Sequence, residues 1–507
     1  MISAILAKAA LSAPSKPALY FEGQTWTYGA LIDEVYLRAR FLERAGICEG
    51  ARVAIVAANS PQWLMWYAAI NTLNAVAVPV NPAYTSYEVR SILHAADLSL
   101  VILDSGNRGE VLDDILGSIA IDINTDVHAI GEDSQWRPPA AAPEGPAVIY
   151  FSSGSTGKPK GIVHTGRNLK LIVDCVSSTW RMTVDDVTLV AMPLAFIYAS
   201  TVAWLTTVHV GGSAFLQARF DERGVAQAIS DGLLTNIMGV PMMFRRILDA
   251  TAAAPRNRLR FGLSSGDGLA RALEEEFFAK FGCRVFEFFG LSEMPHVVSH
   301  ALGRDARSKE FSCGRAVQGV DIEVRDEDGR RCPPGEVGEL TCRSPFGFIG
   351  YFRDRGSTDA VMNDGWFSTG DLVREDEEGF IYFVERKKEL IKSSGFNVLP
   401  SEVERVISGV AGVSEVAVVG APHAERGQVV YAYVVPIAGS ENRDAVKARI
   451  LAECRSKLAK YKIPERIEFL SELPRGPTGK LQRKQLCGRP AHGTNVAGEA
   501  QAGGGVR

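Results

Sequence analysis

The alternation of short apolar strands with helical segments is what most limits the folds open to this chain. Arg52–Ala57, Ala75–Pro79 and Leu98–Leu103 read as strands, and Pro61–Leu73 and Ser86–Ala96 between them read as helices. Such a succession places its strands side by side and parallel, with helices on the faces. Ahead of it, Ala18–Phe21 and Thr25–Tyr28 form a hairpin about Glu22-Gly23, and a helix over Leu31–Ala45 stops at Gly46. The alternation resumes with strands at Val187–Ala191, Ser213–Leu216 and Val285–Phe289, and with an apolar, mostly helical stretch from Leu194 to Val210. From about residue 312 short strands and turns take over (Asp321–Val324, Gly338–Thr341, Gly365–Phe367), which predicts an antiparallel β subdomain. After Arg386-Lys-Lys-Glu389 a smaller α+β unit follows. It has a helix over Ser401–Ile407 with a capping box of Ser401 and Glu404, strands at Val413–Val419 and Val429–Val435, a helix over Arg443–Leu458 and a strand at Arg466–Phe469. The expected fold class is α/β. A large N-terminal domain (1–387) of mostly parallel βαβ sheets carries a small antiparallel β subdomain, an α+β C-terminal domain spans 388–487, and a Gly- and Ala-rich tail (488–507) is expected to be disordered.

A chain of 507 residues has room for two or three domains. Its net charge of -4 and lack of a dense Lys/Arg stripe argue against a nucleic-acid partner. None of the eight cysteines sits in a C-x-x-C pair, so free thiols in a reducing, cytoplasmic setting are expected rather than zinc or a disulfide framework. Met1–Ala13 lacks a basic leading region and Lys8 interrupts its apolar run, so an amphipathic helix is expected there. The most apolar window, Leu64–Val80, is too short and polar to span a bilayer.

The chemistry begins at Tyr150-Phe-Ser-Ser-Gly-Ser-Thr-Gly-Lys-Pro-Lys-Gly161, behind the short strand Ala147–Tyr150. Glycines and small hydroxylated residues let backbone N–H groups approach an anion, and Lys158 and Lys160 add positive charge. The stretch departs from a Walker A loop, since Pro159 follows Gly157-Lys158. A phosphate cradle and a flexible linker both fit this composition. Four further places stand out: Phe289-Gly-Leu-Ser-Glu293, Trp366-Phe-Ser-Thr-Gly-Asp371, Arg386 and Lys480. Singly each has an ordinary reading, as a turn, a cap, a solvated charge and a surface lysine.

Taken together and in order, Phe151–Lys160, Phe289–Glu293, Ser368–Asp371, Glu385–Gly395 and Pro477–Lys480 resemble the adenylate-forming superfamily of acyl-CoA synthetases, luciferases and peptide-synthetase adenylation domains, over roughly residues 10 to 487. The resemblance implies activation of a carboxylate with MgATP to an acyl-AMP, then acyl transfer to a thiol. It implies that Ser152, Ser153, Gly154, Ser155, Thr156, Gly157, Lys158 and Lys160 hold the β- and γ-phosphates and that Glu293 binds Mg2+. It places Ser292 at the α-phosphate, Phe289 and Gly290 at adenine, and Asp371 at ribose with Arg386 nearby. Lys480 would bridge the substrate carboxylate and the α-phosphate. Lys388 would be the hinge of a mobile C-terminal domain whose rotation brings Lys392 and Gly395 to the site for coenzyme A.

For the acid, the resemblance is strongest to aryl-CoA ligases of the benzoate and aminobenzoate type. It implies a pocket of Phe196, Tyr198, Ala199, Gly266 and His296. Phe196 stands where many relatives have a gating histidine, while Ala199 and Pro295 depart from the family pattern. His296 reads equally well as a core or capping histidine. A stand-alone enzyme loading a carrier protein, a medium-chain or alicyclic acyl-CoA synthetase and a nucleotide-binding relative without turnover are the alternatives, and a homodimer is left open.

Overall fold

The computed structural model describes residues 1–104, 120–131, 133, 135–153, 159–251, 256–266, 268–302, 309, 312–393, 396–423, 425–437, 442–475 and 481–487. The chain forms two compact units that divide between Val384 and Glu385, a few residues before the expected boundary at 387/388.

In the first unit the hairpin β1 (Pro17–Phe21) and β2 (Gln24–Thr27) is followed by β3 (Arg52–Val56), β4 (Val76–Val80), β5 (Leu100–Leu103) and β6 (Ala120–Asp122). Next come β7 (Pro146–Ser153), β8 (Pro159–Thr165), β9 (Val187–Val190), β10 (Ser213–Leu216), β11 (Asn236–Gly239), β12 (Phe261–Ser264) and β13 (Val285–Phe289). The short strands β14 (Val298–Ser299) and β15 (Arg315–Ala316) precede β16 (Asp321–Arg325), β17 (Val337–Arg343), β18 (Gly350–Tyr351), β19 (Met362–Asn363), β20 (Trp366–Glu375) and β21 (Ile381–Arg386). They build a seven-stranded sheet in the order β18-β8-β7-β4-β3-β5-β6, a nine-stranded sheet in the order β15-β14-β13-β12-β11-β9-β10-β1-β2, and the antiparallel sheet β16-β17-β20-β19 with β21 beside β20. The residues flanking the glycine-rich stretch pair antiparallel, with Ser152 opposite Lys160 and Ser153 opposite Pro159. Gly154–Lys158 lie outside the described residues.

The two large sheets share one core. In β3, Val53 and Ile55 point into it while Ala54 and Val56 pack on the opposite face against Val89 and Ile92 of the helix Ser86–Ala96. In the nine-stranded sheet, Val190 enters the common core and Val187 and Leu189 face outward. This period of two, apolar on both faces, is the mark of strands covered on both sides. The helix Pro61–Thr72 fills the common core and is buried at all but one of its positions, Gln62. Its all-round apolar sequence leaves it no solvent face. Ser60 caps it through Trp63 N (3.1 Å), and Trp66 Nε1 donates to Ile123 O (2.8 Å).

In the second unit β22 (Ile391–Ser393), β23 (Phe396–Val398), β24 (Val413–His423), β25 (Gly427–Pro436) and β26 (Arg466–Phe469) form one sheet, with β26 parallel to β25. One expectation is corrected. The helix at Pro400–Ser408 has no side-chain cap, so Ser401 and Glu404 make no capping box. Glu404 Oε1 accepts from Val418 N (2.7 Å) and the carboxylate pairs with Arg483, while Ser401 N donates to Glu385 Oε2 (3.0 Å). The half-buried ion pair and the strand amide take the carboxylate that a capping box would need. The Leu194–Val210 stretch contains a π-helix, Tyr198–Leu205, which runs into a short α-helix at Thr206–His209.

His164 and His296 of the first unit are buried and neutral. His164 on β8 donates from Nε2 to Ser292 O (2.7 Å), leaving Nδ1 as the bare nitrogen, and burial lowers its pKa to about 4. Burial lowers that of His296 to about 3. An unfolded histidine takes its proton near pH 6.5, so between that pH and the folded values the unfolded chain binds more protons. Stability of the first unit should therefore fall as pH drops from 7 to 5, by about 2 kcal/mol per imidazole over that window. Urea unfolding at the two pH values checks this, and His164→Gln should flatten the slope.

Candidate active site

β13 ends in a turn that only glycine permits. A Cβ on Gly290 would lie 2.2 Å from Pro295 O, so the chain can double back there without a side chain. Leu291 and Met294 exchange backbone hydrogen bonds (2.9 and 3.2 Å) and Val297 N returns to Phe289 O (3.0 Å). The turn presents Ser292 and Glu293. His164 holds the first by its carbonyl, and Phe348 N holds the second by its carbonyl (2.8 Å).

The Glu293 side chain meets the phosphate hairpin through a residue that the sequence did not single out. Tyr351 of β18 donates its hydroxyl to Glu293 Oε1 (2.8 Å), and Lys160 Nζ stands 5.0 Å from the centre of the same ring. β18 pairs with β8, Tyr351 opposite Ile162, so the edge strand brings residues 160, 293 and 351 together. Burial, then the Glu293 charge, push the Tyr351 phenol well above its ordinary range, so it stays a donor. A half-buried carboxylate such as Glu293 suits Mg2+ brought in on nucleotide phosphates, since Mg2+ takes one or two carboxylates plus phosphate and water. Among the described residues no group of three or more His, Cys, Asp or Glu forms a protein-only metal cage.

Asp371 is fully buried on β20, with its N–H on Thr369 Oγ1 (3.1 Å), and Thr369 Oγ1 donates to Leu340 O (2.7 Å). Burial, then the Asp371 charge, push the Cys342 thiol up to about 12, and Asp371 also acts on Cys313. Cys313 Sγ donates to Glu287 Oε1 (3.4 Å), and Glu287 Oε2 accepts from Leu269 N (3.0 Å). Asp371 and the half-buried Glu287 of β13 thus both act on the Cys313 thiol. Phe289 is half-buried and stacked on Phe383 at 6.5 Å.

Phe196, Tyr198 and Ala199 lie at the start of the π-helix, the first two half-buried. Tyr198 donates its hydroxyl to Leu263 O (3.0 Å), and its ring lies 5.2 Å from Phe288. His296 lies behind Phe288, ring to ring at 5.6 Å, is 1% exposed, and has Nδ1 3.7 Å from Cys175 Sγ. Its burial matches the core reading offered by the sequence. Gly266 is exposed after β12 with φ of 90°.

In the second unit Arg386 is half-buried, with its N–H on Glu385 Oε1 (3.1 Å). Lys388 is exposed in the turn Lys387–Glu389, and Lys392 is exposed on β22, its N–H on Gln428 Oε1 (2.8 Å). Gly395 and Lys480 lie outside the described residues. The segment after Lys480 is fastened nonetheless. Leu481 bridges Arg475, Gln482 N donates to Pro474 O (2.8 Å), and Arg483 pairs with Glu389 (3.1 Å) and Glu404.

Tyr351→Phe removes one hydrogen bond to a charged carboxylate, an interaction of about 1.5–3 kcal/mol. It should raise the half-saturating Mg2+ concentration for acid-dependent ATP–pyrophosphate exchange by about tenfold. A titration at fixed ATP checks this.

Comparison with known proteins agrees with the geometry. The AMP-binding enzyme profile matches residues 6–352, and that of the AMP-binding enzyme C-terminal domain matches 402–480. The chain is 31% identical over 505 residues to the fatty acid–[acyl-carrier-protein] ligase ScoC of Streptomyces coeruleorubidus, covering 94% of each. It superposes on ATP-bound MatB from Rhodopseudomonas palustris with a TM-score of 0.87 at 29% identity, covering 96% of this chain and 98% of that one. It matches the o-succinylbenzoate coenzyme A synthetase MenE of Bacillus subtilis, in complex with ATP and magnesium, with a TM-score of 0.84 at 29% identity, covering 95% and 98%. The chain belongs to the AMP-binding enzyme family, the adenylate-forming acid–thiol ligases that work with ATP and Mg2+.

Proposed function

We propose that this ligase activates a compact, preferably aromatic, carboxylic acid as its acyl-AMP and passes the acyl group to coenzyme A. The observation that carries the aromatic preference is the pair of half-buried rings Phe196 and Tyr198, with buried Phe288 and His296 packed behind Tyr198. Burial keeps that imidazole neutral, so the two rings offer an acid flat surfaces with no cation behind them. Carboxylate recognition is then left to the phosphate side of the site, where attack occurs.

The first half-reaction must bring a carboxylate onto the α-phosphate, two groups of like charge. Ser152 to Lys160 would hold the outgoing phosphates, and Glu293, steadied by Tyr351, would hold Mg2+. When bound, that ion neutralises charge on the phosphate oxygens. Ser292 approaches the α-phosphate, Phe289 and Gly290 flank adenine, Asp371 takes the ribose hydroxyls with Arg386 beside it, and Lys480 spans the two reacting anions. In the second half-reaction the small domain turns about Lys388, Lys480 leaves, and Lys392 to Gly395 line the thiol's approach.

A second acceptor, a carrier protein, has support from the similarity to ScoC. Exchange of pyrophosphate into ATP, screened over benzoate, hydroxy- and aminobenzoates, phenylacetate, cyclohexanecarboxylate and medium-chain fatty acids, identifies the acid. Addition of coenzyme A or of a carrier protein then identifies the acceptor. Lack of exchange with every aromatic acid would remove the aromatic assignment.

Lys480→Ala should slow adenylation by about 10²–10³-fold, the loss typical of one transition-state donor, and spare thioester formation from supplied acyl-AMP. Single-turnover assays of each half-reaction separate these, and equal loss in both would contradict the role. Gly395→Leu should keep pyrophosphate release and abolish thioester formation, because a side chain there obstructs the thiol's path. Normal coenzyme A turnover in that variant would show that the path lies elsewhere.

A further inference from the structure

The pocket helix is held in an unusual register by buried hydroxyls from both neighbouring sheets. The π-helix Tyr198–Leu205 has a wider turn than an α-helix, and such segments occur mostly as short insertions at functional sites. Here the hydroxyl groups engage backbone carbonyls in and beside it. Ser200 Oγ donates to Phe196 O (3.0 Å), Thr206 Oγ1 donates to Thr201 O (3.2 Å), and Thr207 Oγ1 lies 2.8 Å from Ala203 O. Side-chain bonds of this kind bend and loosen the regular helical ladder.

Two strands brace these hydroxyls. Thr207 Oγ1 lies 2.7 Å from Thr188 Oγ1 of β9 in the nine-stranded sheet. From the seven-stranded sheet, the hydroxyl of Tyr150 on β7 lies 2.8 Å from Ser200 Oγ and 3.3 Å from Thr201 Oγ1. Because the Ser200 proton goes to Phe196 O, Tyr150 donates to Ser200. The Tyr67 hydroxyl, 3.1 Å from that of Tyr150, donates in turn. The result is a directed chain, Tyr67 to Tyr150 to Ser200 to the Phe196 carbonyl, in a site where Tyr67, Tyr150 and Ser200 are all buried. Apolar residues could fill this volume, and a buried chain of donors has its best-attested use in fixing register.

We propose that Tyr150 and Ser200 are positioning residues for acid selection: their hydroxyl chain holds the π register of the pocket helix, and that register decides which side chains face the acid. With Thr207 anchored at Thr188, a change to α geometry would remove one residue from the turn. It would rotate Phe196 and Tyr198 by about 100° relative to the anchored end. Tyr198 would then leave its bond to Leu263 O and its contact with Phe288. The inference rests on the placement of the acid at Phe196 and Tyr198.

The test compares kcat/KM for the best acid of the exchange screen with that for its homologue longer by two methylenes. Tyr150→Phe and Ser200→Ala each delete one oxygen and should change this ratio by about tenfold or more, with KM for ATP within about twofold of the parent. A purely structural role would lower the unfolding midpoint and slow both acids by one common factor. An unchanged ratio in both folded variants would overturn the proposal. Tyr198→Ala distinguishes the two levels of the argument. If it shifts the ratio and the hydroxyl variants do not, the hydroxyl chain is wrong. If none of the three shifts it, the acid lies elsewhere and the proposal falls with that placement. Should Tyr150→Phe not accumulate as folded protein, Ser200→Ala carries the test.

Discussion

Each large sheet of the first unit packs helices of its own on its outer face, and the two share one core between their inner faces. Both are closed by the same buried helix, Pro61–Thr72, and by the side chains packed around it. That shared core holds strands β7 and β8 of one sheet and β13 of the other, which sequence places far apart, around one interior. A reaction between two anions needs cationic and metal-binding groups aimed at one spot, and groups mounted on a rigid scaffold meet that need best. The His164–Ser292 and Tyr351–Glu293 bonds join β8 and β18 of the seven-stranded sheet directly to the turn after β13.

Much of this was legible in the residues. Strand and helix periods located most elements to within a few residues, and the five ordered motifs led to the family. The hidden parts share a cause: they depend on partners remote in sequence. Tyr351 carries no local signal of its own, and its partner Glu293 lies 58 residues away. Glu404 has the spacing of a capping residue, yet a strand amide and Arg483, 79 residues on, compete for its carboxylate and win. The hydroxyls of Ser200, Thr206 and Thr207 look like helix-tolerated polar residues, and only Tyr150 and Thr188, brought up by two sheets, show why the helix is wide. His296 was open between wall and core because a lone histidine does not state its depth, which here is nearly complete.

The second unit repeats the logic on a smaller scale. Arg483 draws Glu389 and Glu404 together and also donates to Val418 O (2.9 Å). One guanidinium therefore fastens the turn Lys387–Glu389, the helix Pro400–Ser408 and strand β24 to the segment that follows Lys480. A planar fork with five donors serves such a junction better than a lysine would.

The late edge strand β18 has a consequence for the order in which the molecule is completed. Gly350 and Tyr351 pair with Val163 and Ile162, so the seven-stranded sheet keeps an open edge until nearly two hundred further residues have emerged. Closing so long a loop is entropically slow and is repaid only once the contacts form. During synthesis strands β7 and β8 would thus exist before the tyrosine that steadies Glu293. A nascent chain ending short of Gly350 would lack the partner of both the β8 edge and Glu293, so the Tyr351–Glu293 bond becomes a late event that reports a finished sheet.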